Sequence, residues 1–202
     1  MNLNRKIRLG KKSDINKILE IYKPFVENTV ITFEYEVPTL NDFNVRMLNI
    51  QKKYPLLICE INDKVVGYAY ASQFGERAAF NWSVELSIYI SPKYHKYKIG
   101  KSLYFALFEV LKLQGYYNAY AKITSPNVKS EYLHKSFGFK LVGIYKNIAF
   151  KFGNWQDLAC YELNLKDYDK SPLPPKTINE ISITPKFKKI LQEAEEIIKP
   201  HY

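Results

Sequence analysis

The first candidate for chemistry is a carboxylate in an alternating stretch of the chain. Glu85 lies in VELSIYI, where apolar and polar residues alternate as in a half-buried strand. On such a strand Glu85 shares a face with Ser87 and Tyr89. A carboxylate placed there can act as a general base, and it can equally be an exposed strand side chain.

A lysine-rich turn follows this strand. SPKYHKYKIGK, residues 91–101, holds four lysines and no acidic residue, and a helix is predicted to begin at Gly100. Free N–H groups at a helix start, together with the helix dipole and nearby lysines, favour an anion. The spacing H-x-x-K-x-G is neither a Walker loop nor a dinucleotide fingerprint. By itself the pattern therefore also fits an ordinary connection between a strand and a helix.

A third pattern lies further along the chain. Asn127, Ser130 and His134 stand as N-x-x-S-x-x-x-H, and Gly138 and Phe139 follow. Asn127 can cap the predicted helix. A lone helix histidine is usually hydrogen-bonded in a core, so His134 has a structural interpretation beside a catalytic one.

Composition bounds the possible classes of protein. The 202 residues are 47% apolar and 25% charged, which excludes a disordered chain, a collagen-like repeat and a disulfide scaffold. Cys59 and Cys160 each lie in an apolar run, which predicts buried side chains in the core. The two cysteines and the three histidines, His95, His134 and His201, give no metal-site spacing, so no metal is predicted.

The net charge of +10 is unevenly distributed. Residues 166–202 hold seven lysines and six acids, so the first 165 residues carry +9. A basic patch with aromatic residues can bind nucleic acid or a smaller polyanion such as a nucleotide cofactor, and charge alone does not choose between them. No stretch approaches the roughly 20 apolar residues of a membrane helix, and no apolar segment of a signal peptide follows the N-terminus. These observations predict a cytoplasmic protein without a membrane partner.

Helical and strand periodicities alternate along the chain, which predicts a mixed α/β fold. Ser13 is the predicted cap of the first helix, in which Pro24 should produce a kink or a break. Thr39 and Asp42 resemble a capping box, and Asn62–Asp63 should join a hairpin. The predicted strands are 6–9, 56–61, 64–74, 84–90, 119–123, 140–147 and 158–164; the predicted helices are 100–114 and 128–137, with others beginning after Ser13, Thr39 and Thr184.

The proline-rich SPLPP, residues 171–175, predicts a linker. The expected organisation is therefore a domain over residues 1–166, followed by a linker and a C-terminal helix over 167–202. Thr184 and Pro185 look like the cap and first residue of that helix. Its apolar stripe should pack on its own domain or across a subunit contact; the stripe is Phe187, Ile190, Leu191, Ala194, Ile197 and Ile198.

Taken together, these motifs resemble the GNAT superfamily of acyl-CoA N-acyltransferases. From Ile7 to Leu165 the chain is most similar to the phosphinothricin N-acetyltransferase family. The resemblance rests on NTVITFEYEVPT, YPLLICEINDKVVGYAYA, NWSVELSIYISP, HKYKIG and FKFGNWQD. It implies a mixed, mostly antiparallel, splayed sheet flanked by helices, with acetyl-CoA as co-substrate and a small amine as acceptor. It also implies a homodimer and no nucleic-acid partner.

The resemblance further implies roles for individual residues. Glu85 takes the place of the general base, and His134 stands near the sulfur that leaves. The residues expected to bind acetyl-CoA are Ile88, Tyr89, Ile90, Lys96, Tyr97, Lys98, Ile99, Gly100, Lys101, Asn127 and Ser130. The residues expected around the acceptor are Phe33, Arg77, Tyr89 and Trp155.

Two departures from the family pattern affect these expectations. Lys98 occupies the first glycine position of the turn, so its backbone must reach a phosphate despite a side chain. Gly75 stands where relatives often have a lysine, two residues before Arg77, which weakens the case for phosphinothricin itself. Other acceptors, such as methionine sulfoximine, a polyamine or a protein N-terminus, remain open. So do a CoA-dependent sensor and a nucleic-acid-binding module without catalysis.

Overall fold

Seven strands form one mixed sheet with helices packed on both faces. A computed structural model describes residues 3–199. The outermost residues of the predicted segments 1–166 and 167–202, including His201, lie outside the described residues. Between residues 3 and 199, no helix is long and apolar enough to cross a membrane.

The bounds of the elements are as follows. The strands are β1 Arg5–Leu9, β2 Leu56–Ile61, β3 Lys64–Gln73, β4 Ser83–Ile90, β5 Asn118–Ser125, β6 Lys140–Lys151 and β7 Asn154–Asn164. The helices are α1 Ile15–Asn28, α2 Leu40–Gln51, α3 Ile99–Gln114, α4 Val128–Ser136, α5 Ile178–Ser182 and α6 Pro185–Ile197. The sheet order is β1-β2-β3-β4-β5-β7-β6, in which β4 and β5 run parallel and the other neighbours antiparallel. The predicted splayed, mostly antiparallel sheet is confirmed.

The sheet separates two apolar clusters. Alternate residues of β2 illustrate this, because Cys59 packs toward α3 and α6 while Ile58 packs toward α1 and α2. Burial raises the pKa of the Cys59 thiol to about 12, so this cysteine behaves as a small apolar residue. Cys160 is only half-buried, in contrast to its prediction as a core residue.

Several local signals gave the predicted structure. The Thr39 hydroxyl accepts a hydrogen bond from the Asp42 N–H and starts α2. Asn62 and Asp63 have φ of 48° and 61°, as the turn of a two-residue hairpin requires. Gly115, with φ of 104°, ends α3 in the left-handed region.

Two predictions about α1 need correction. Ser13 is not the cap of α1. A 3₁₀ turn over Lys12–Asp14 precedes the helix, and Asp14 is the cap residue. The Asp14 carboxylate accepts a hydrogen bond from the Lys11 N–H. The break predicted at Pro24 does not occur, because α1 runs unbroken from Ile15 to Asn28. Its apolar face stays buried on both sides of the proline, and this tertiary packing holds the two halves together.

The C-terminal helix packs on its own domain, against α3 and β1. The Ser102 hydroxyl donates to the Ala194 carbonyl at 2.7 Å, and the Ile7 N–H donates to the Glu195 carboxylate at 2.9 Å. Phe187, Ile190, Ala194 and Ile198 of the predicted stripe are buried in the same cluster as α3. The short helix α5, which joins the linker to α6, was not predicted from the sequence.

Replacing the Phe187 ring tests how far α6 stabilises the domain. Phe187→Ala should lower the free energy of unfolding by about 3–5 kcal/mol, because the ring is 4% exposed and its removal leaves a cavity. Urea denaturation measures this change, with Lys189→Ala on the exposed face of α6 as the matched control. Equal stability of the two variants would show that α6 is not docked as described.

Candidate active site

A cleft opens where β4 and β5 separate. The two strands pair only over three residues, and the last pair joins Glu85 to Tyr120. Beyond that point the strands diverge and leave a cleft that is open to solvent and has a cavity volume of about 70 Å³. The cleft is lined by Ile31, Leu86, Ser87, Ile88, Tyr89, Tyr104, Ala121, Lys122, Ile123, Thr124, Asn127, Ser130 and His134.

The divergence frees backbone hydrogen-bonding groups of β4. The Ser91 N–H donates to the Val66 carbonyl of β3, and the register continues through the pair Tyr68–Tyr89. Because antiparallel bonding alternates along a strand, the Tyr89 N–H also points to β3. The N–H groups of Ile88 and Ile90 therefore point to the cleft side, where they can stabilise a negatively charged oxygen.

The basic turn has an unusual backbone. Lys96 and Lys98 have φ of 76° and 60°, in the left-handed region that glycine adopts most readily. Lys98 is the cap of α3, and its carbonyl accepts the Ser102 N–H at 3.0 Å. Thus Lys98 takes the conformation of the glycine usual at this position while its side chain points out to solvent.

Packing favours glycine at position 100. A Cβ at this position would lie 3.2 Å from Leu133 of α4 and 3.3 Å from Ile90 of β4. The glycine thus lets the start of α3 approach both neighbours. Lys96, Lys98 and Lys101 are exposed around it, whereas Ile99 is buried and Tyr97 is half-buried.

Asn127 caps α4, as predicted. Its side-chain oxygen accepts the Ser130 N–H at 3.1 Å, and its own N–H donates to the Glu131 carboxylate at 3.1 Å. This arrangement places Ser130 and His134 on the helix face that lines the cleft.

His134 is buried and uses both ring nitrogens. Nδ1 lies 2.7 Å from the Ser130 carbonyl, which can only accept, so Nδ1 carries the proton. Nε2 then accepts a hydrogen bond from the Tyr104 hydroxyl at 2.8 Å. Burial lowers the pKa of His134, so the ring is neutral near pH 7.

Glu85 lies where the pairing of β4 and β5 ends and forms an ion pair with Lys122. The Oε2–Nζ distance is 2.7 Å, and both side chains are partly exposed. Lys122 lines the cleft, and Glu85 borders it through this contact.

The predicted acceptor residues are only partly brought together. Tyr89 lines the cleft and packs edge-on against Tyr22. Phe33 is half-buried, whereas Arg77 and Trp155 are exposed, and these three are not among the cleft-lining residues.

Sequence reasoning missed Tyr104 and Lys122. Tyr104 lies on the buried face of α3, and helical periodicity alone does not show that its hydroxyl reaches His134. Lys122 lies between the buried Ala121 and Ile123, so alternation alone places it on the face opposite α3. Its contact with Glu85 depends on which strands are neighbours, which the local pattern does not contain. Within residues 3–199, no group of three or more potential metal-ligating side chains is assembled.

The buried neutral His134 predicts a pH dependence of stability. As the pH falls below about 6.5, the unfolded chain binds a proton that the folded protein resists. The free energy of unfolding should therefore fall from pH 7 to pH 5, by up to about 1.4 kcal/mol per pH unit from this group. Denaturation at several pH values should give a shallower slope for His134→Asn than for wild type or for His95→Asn at an exposed site. Equal slopes for all three proteins would contradict the assignment.

The chain resembles known proteins in sequence. A family model described as an acetyltransferase (GNAT) domain matches residues 7–159. A phosphinothricin N-acetyltransferase of Streptomyces coelicolor is 33% identical over 160 residues, covering 77% of this chain and 94% of that protein. An L-methionine sulfoximine/L-methionine sulfone acetyltransferase of Salmonella typhimurium is 31% identical over 163 residues, covering 80% of this chain and 95% of that protein.

A solved structure shows the same fold. The crystal structure of a GNAT superfamily phosphinothricin acetyltransferase from Sinorhizobium meliloti, in complex with AcCoA, matches with a TM-score of 0.79 at 32% identity. The match covers 84% of this chain and 96% of that one. The chain therefore belongs to the GNAT family of N-acetyltransferases, in the branch that resembles phosphinothricin N-acetyltransferase.

Proposed function

We propose that the protein transfers acetyl from acetyl-CoA to the primary amine of a small amino-acid-like acceptor, of the phosphinothricin or methionine sulfoximine type. The observation that carries the proposal is the cleft between β4 and β5, which has Glu85 at one end and the basic start of α3 near the other. The names of the relatives support this acceptor class. A cytoplasmic location, inferred from the sequence, stays a prediction.

The start of α3 fits the phosphates of acetyl-CoA. Exposed lysines at 96, 98 and 101 surround the helix N-terminus, and that helix has no acidic residue in its first turn. Backbone N–H groups and the helix dipole add to the attraction for an anion. The side chains of Ile88, Ile90, Asn127 and Ser130 would then border the arm that carries the thioester.

Glu85 is the proposed general base. An aliphatic ammonium is protonated near neutral pH and must lose a proton before its nitrogen can attack a thioester. Glu85 accepts that proton, directly or through a water molecule, and the neutral amine then attacks the thioester carbonyl. A carbon–nitrogen bond forms, and the carbonyl oxygen becomes an oxyanion that the N–H groups of Ile88 and Ile90 stabilise. When this oxyanion collapses, the carbon–sulfur bond breaks, its electron pair leaves on sulfur, and the sulfur takes up the proton that the nitrogen loses.

His134 is proposed to assist this departure through Tyr104. Both ring nitrogens already have partners, and Nε2 holds the Tyr104 hydroxyl. Because both side chains line the cleft, the Tyr104 hydroxyl can turn from Nε2 and donate a hydrogen bond to the departing sulfur. Phe33, Arg77 and Trp155 remain proposed acceptor contacts.

A homodimer is proposed from the exposed edge of the sheet. β6 is an edge strand, and its apolar side chains are exposed on both faces. Such an edge exposes unpaired backbone groups beside apolar surface, which proteins usually cover. The exposed apolar residues of this strand are Leu141, Val142, Ile144, Tyr145, Ile148 and Phe150. A second copy of the chain, implied by the family resemblance, is the proposed cover.

The phosphate site can be tested by charge reversal. Lys101→Glu should weaken acetyl-CoA binding on the order of 10–100-fold, because a charged hydrogen-bond partner becomes a repulsive one. Lys112→Glu, near the other end of α3, is the matched control. Isothermal titration calorimetry measures both affinities. A dissociation constant for Lys101→Glu within twofold of wild type would remove this assignment.

The general base can be tested by an isosteric change. Glu85→Gln keeps the size of the side chain but cannot take the proton, so kcat should fall on the order of 10²–10⁴-fold. Acetyl-CoA affinity should stay unchanged. Thiol release from acetyl-CoA in an amine panel measures the activity, and Glu162→Gln on the exposed side of β7 is the control. If Glu85→Gln stays within a few-fold of wild type with the same pH profile, another group is the base.

The dimer can be tested on β6. Ile144→Glu should shift the protein toward monomer in light scattering, since a buried unpaired charge opposes association. Leu173→Glu, in the exposed linker, should leave the mass unchanged. A wild-type protein that is monomeric at high micromolar concentration would exclude the dimer.

A further inference from the structure

An accessible ion pair borders the cleft at the place where the acceptor must arrive. Glu85 and Lys122 lie 2.7 Å apart, with side chains 27% and 43% exposed. Ion pairs exposed to this degree contribute little to folding stability, so the pair is not explained by a need to hold the sheet together. Each charged group can therefore leave its partner and form an ion pair with a ligand instead.

Lys122 reaches this position from the opposite wall of the cleft. Its strand neighbours Ala121 and Ile123 are buried in the cluster on the α3 side, so Lys122 projects from the other face of the sheet. Glu85 projects from the same face of β4, since Val84 and Leu86 belong to that same α3-side cluster. The carboxylate and the ammonium therefore meet across the gap between two diverging strands.

We propose that Lys122 binds the carboxylate of an α-amino acid acceptor while Glu85 receives its amine; this rests on the proposed acetyl transfer. An α-amino acid carries an ammonium and a carboxylate on one carbon, and the ion pair presents the opposite charges in direct contact. The acceptor can thus exchange partners with the pair, its ammonium turning to Glu85 and its carboxylate to Lys122. One ion pair is replaced by two, and no charge is left unpaired.

The exchange defines a substrate class. Amines without an adjacent carboxylate would face an unrelieved cation at Lys122, which disfavours polyamines. Arg46 of α2 is already paired with Glu34 at 2.7 Å. Arg77 is exposed at the start of the 3₁₀ turn Ala78–Phe80 and is the competing candidate.

Matched acceptors and variants test the proposal. The probes are L-phosphinothricin, L-methionine sulfoximine and L-methionine sulfone, each beside its α-carboxamide, which keeps the amine but loses the negative charge. The proteins are wild type, Lys122→Met, Lys122→Arg and Arg77→Gln. Lys112→Met serves as control because Lys112 forms an ion pair of equal length and similar exposure with Glu109.

The acid-to-amide ratio of kcat/KM is compared between proteins, so that differences in amine basicity cancel. Calorimetric titration of each acid in the presence of CoA gives a second readout that does not depend on turnover.

The expected result is a selective loss. Lys122→Met should lower kcat/KM and affinity for the acids on the order of 10–100-fold, the range for a hydrogen bond to a charged group. The acid-to-amide ratio of kcat/KM should fall at least as far, because the amides no longer face an unrelieved cation. Lys122→Arg should restore most of the loss, and Lys112→Met should resemble wild type. The proposal is overturned if Lys122→Met keeps the wild-type acid-to-amide ratio, if only Arg77→Gln loses it, or if wild type does not prefer the acids. Turnover of amines without that preference would leave acetyl transfer standing, whereas no acetyl-CoA binding and no thiol release with any amine would refute both.

Discussion

The separation of β4 from β5 is the constraint on which the rest of the site depends. Their pairing ends at Glu85 and Tyr120, although both strands continue. Each keeps its other neighbour, so backbone groups facing the gap lose their sheet partners without loss of the sheet. Unpaired N–H groups need water or a ligand. The cleft therefore exists because two strands are held from their outer sides, and its polarity comes from the same geometry.

The floor of the cleft is held in place by contacts between helices rather than by the sheet. Gly100 lets α3 approach Leu133 of α4, and one turn further along α3 Tyr104 holds His134. The same end of α3 is supported by the C-terminal segment, since Lys199 donates its N–H to the Tyr97 carbonyl. A helix beyond a proline-rich linker thus supports the turn proposed to bind phosphates.

Local signals in the sequence predicted most helices and strands. They failed where the conformation or the contact depends on residues far apart in the sequence. The alternation around Glu85 and the caps at Thr39 and Asn127 are properties of neighbouring residues, so they were predictable. The unbroken α1 depends on packing across Pro24, and the left-handed Lys98 depends on where α3 must begin. The contacts of Glu85 with Lys122 and of Tyr104 with His134 join residues about 30 or more positions apart. Only the order of the strands and the packing of α3 on α4 bring these side chains together.

The charges of the site are arranged so that each end of the cleft suits a different ligand. Lysines at the start of α3 have no acidic residue in the same helical turn and therefore favour a polyanion. Lys122, by contrast, lies in contact with Glu85, so that end combines a cation and an anion within one hydrogen-bond distance. A polyanion gains little binding energy at the Glu85–Lys122 pair, whose charges cancel, and a zwitterion gains little at a turn that carries only positive charge. We therefore propose that the distribution of charge along the cleft, rather than the total of +10, determines which way each substrate lies.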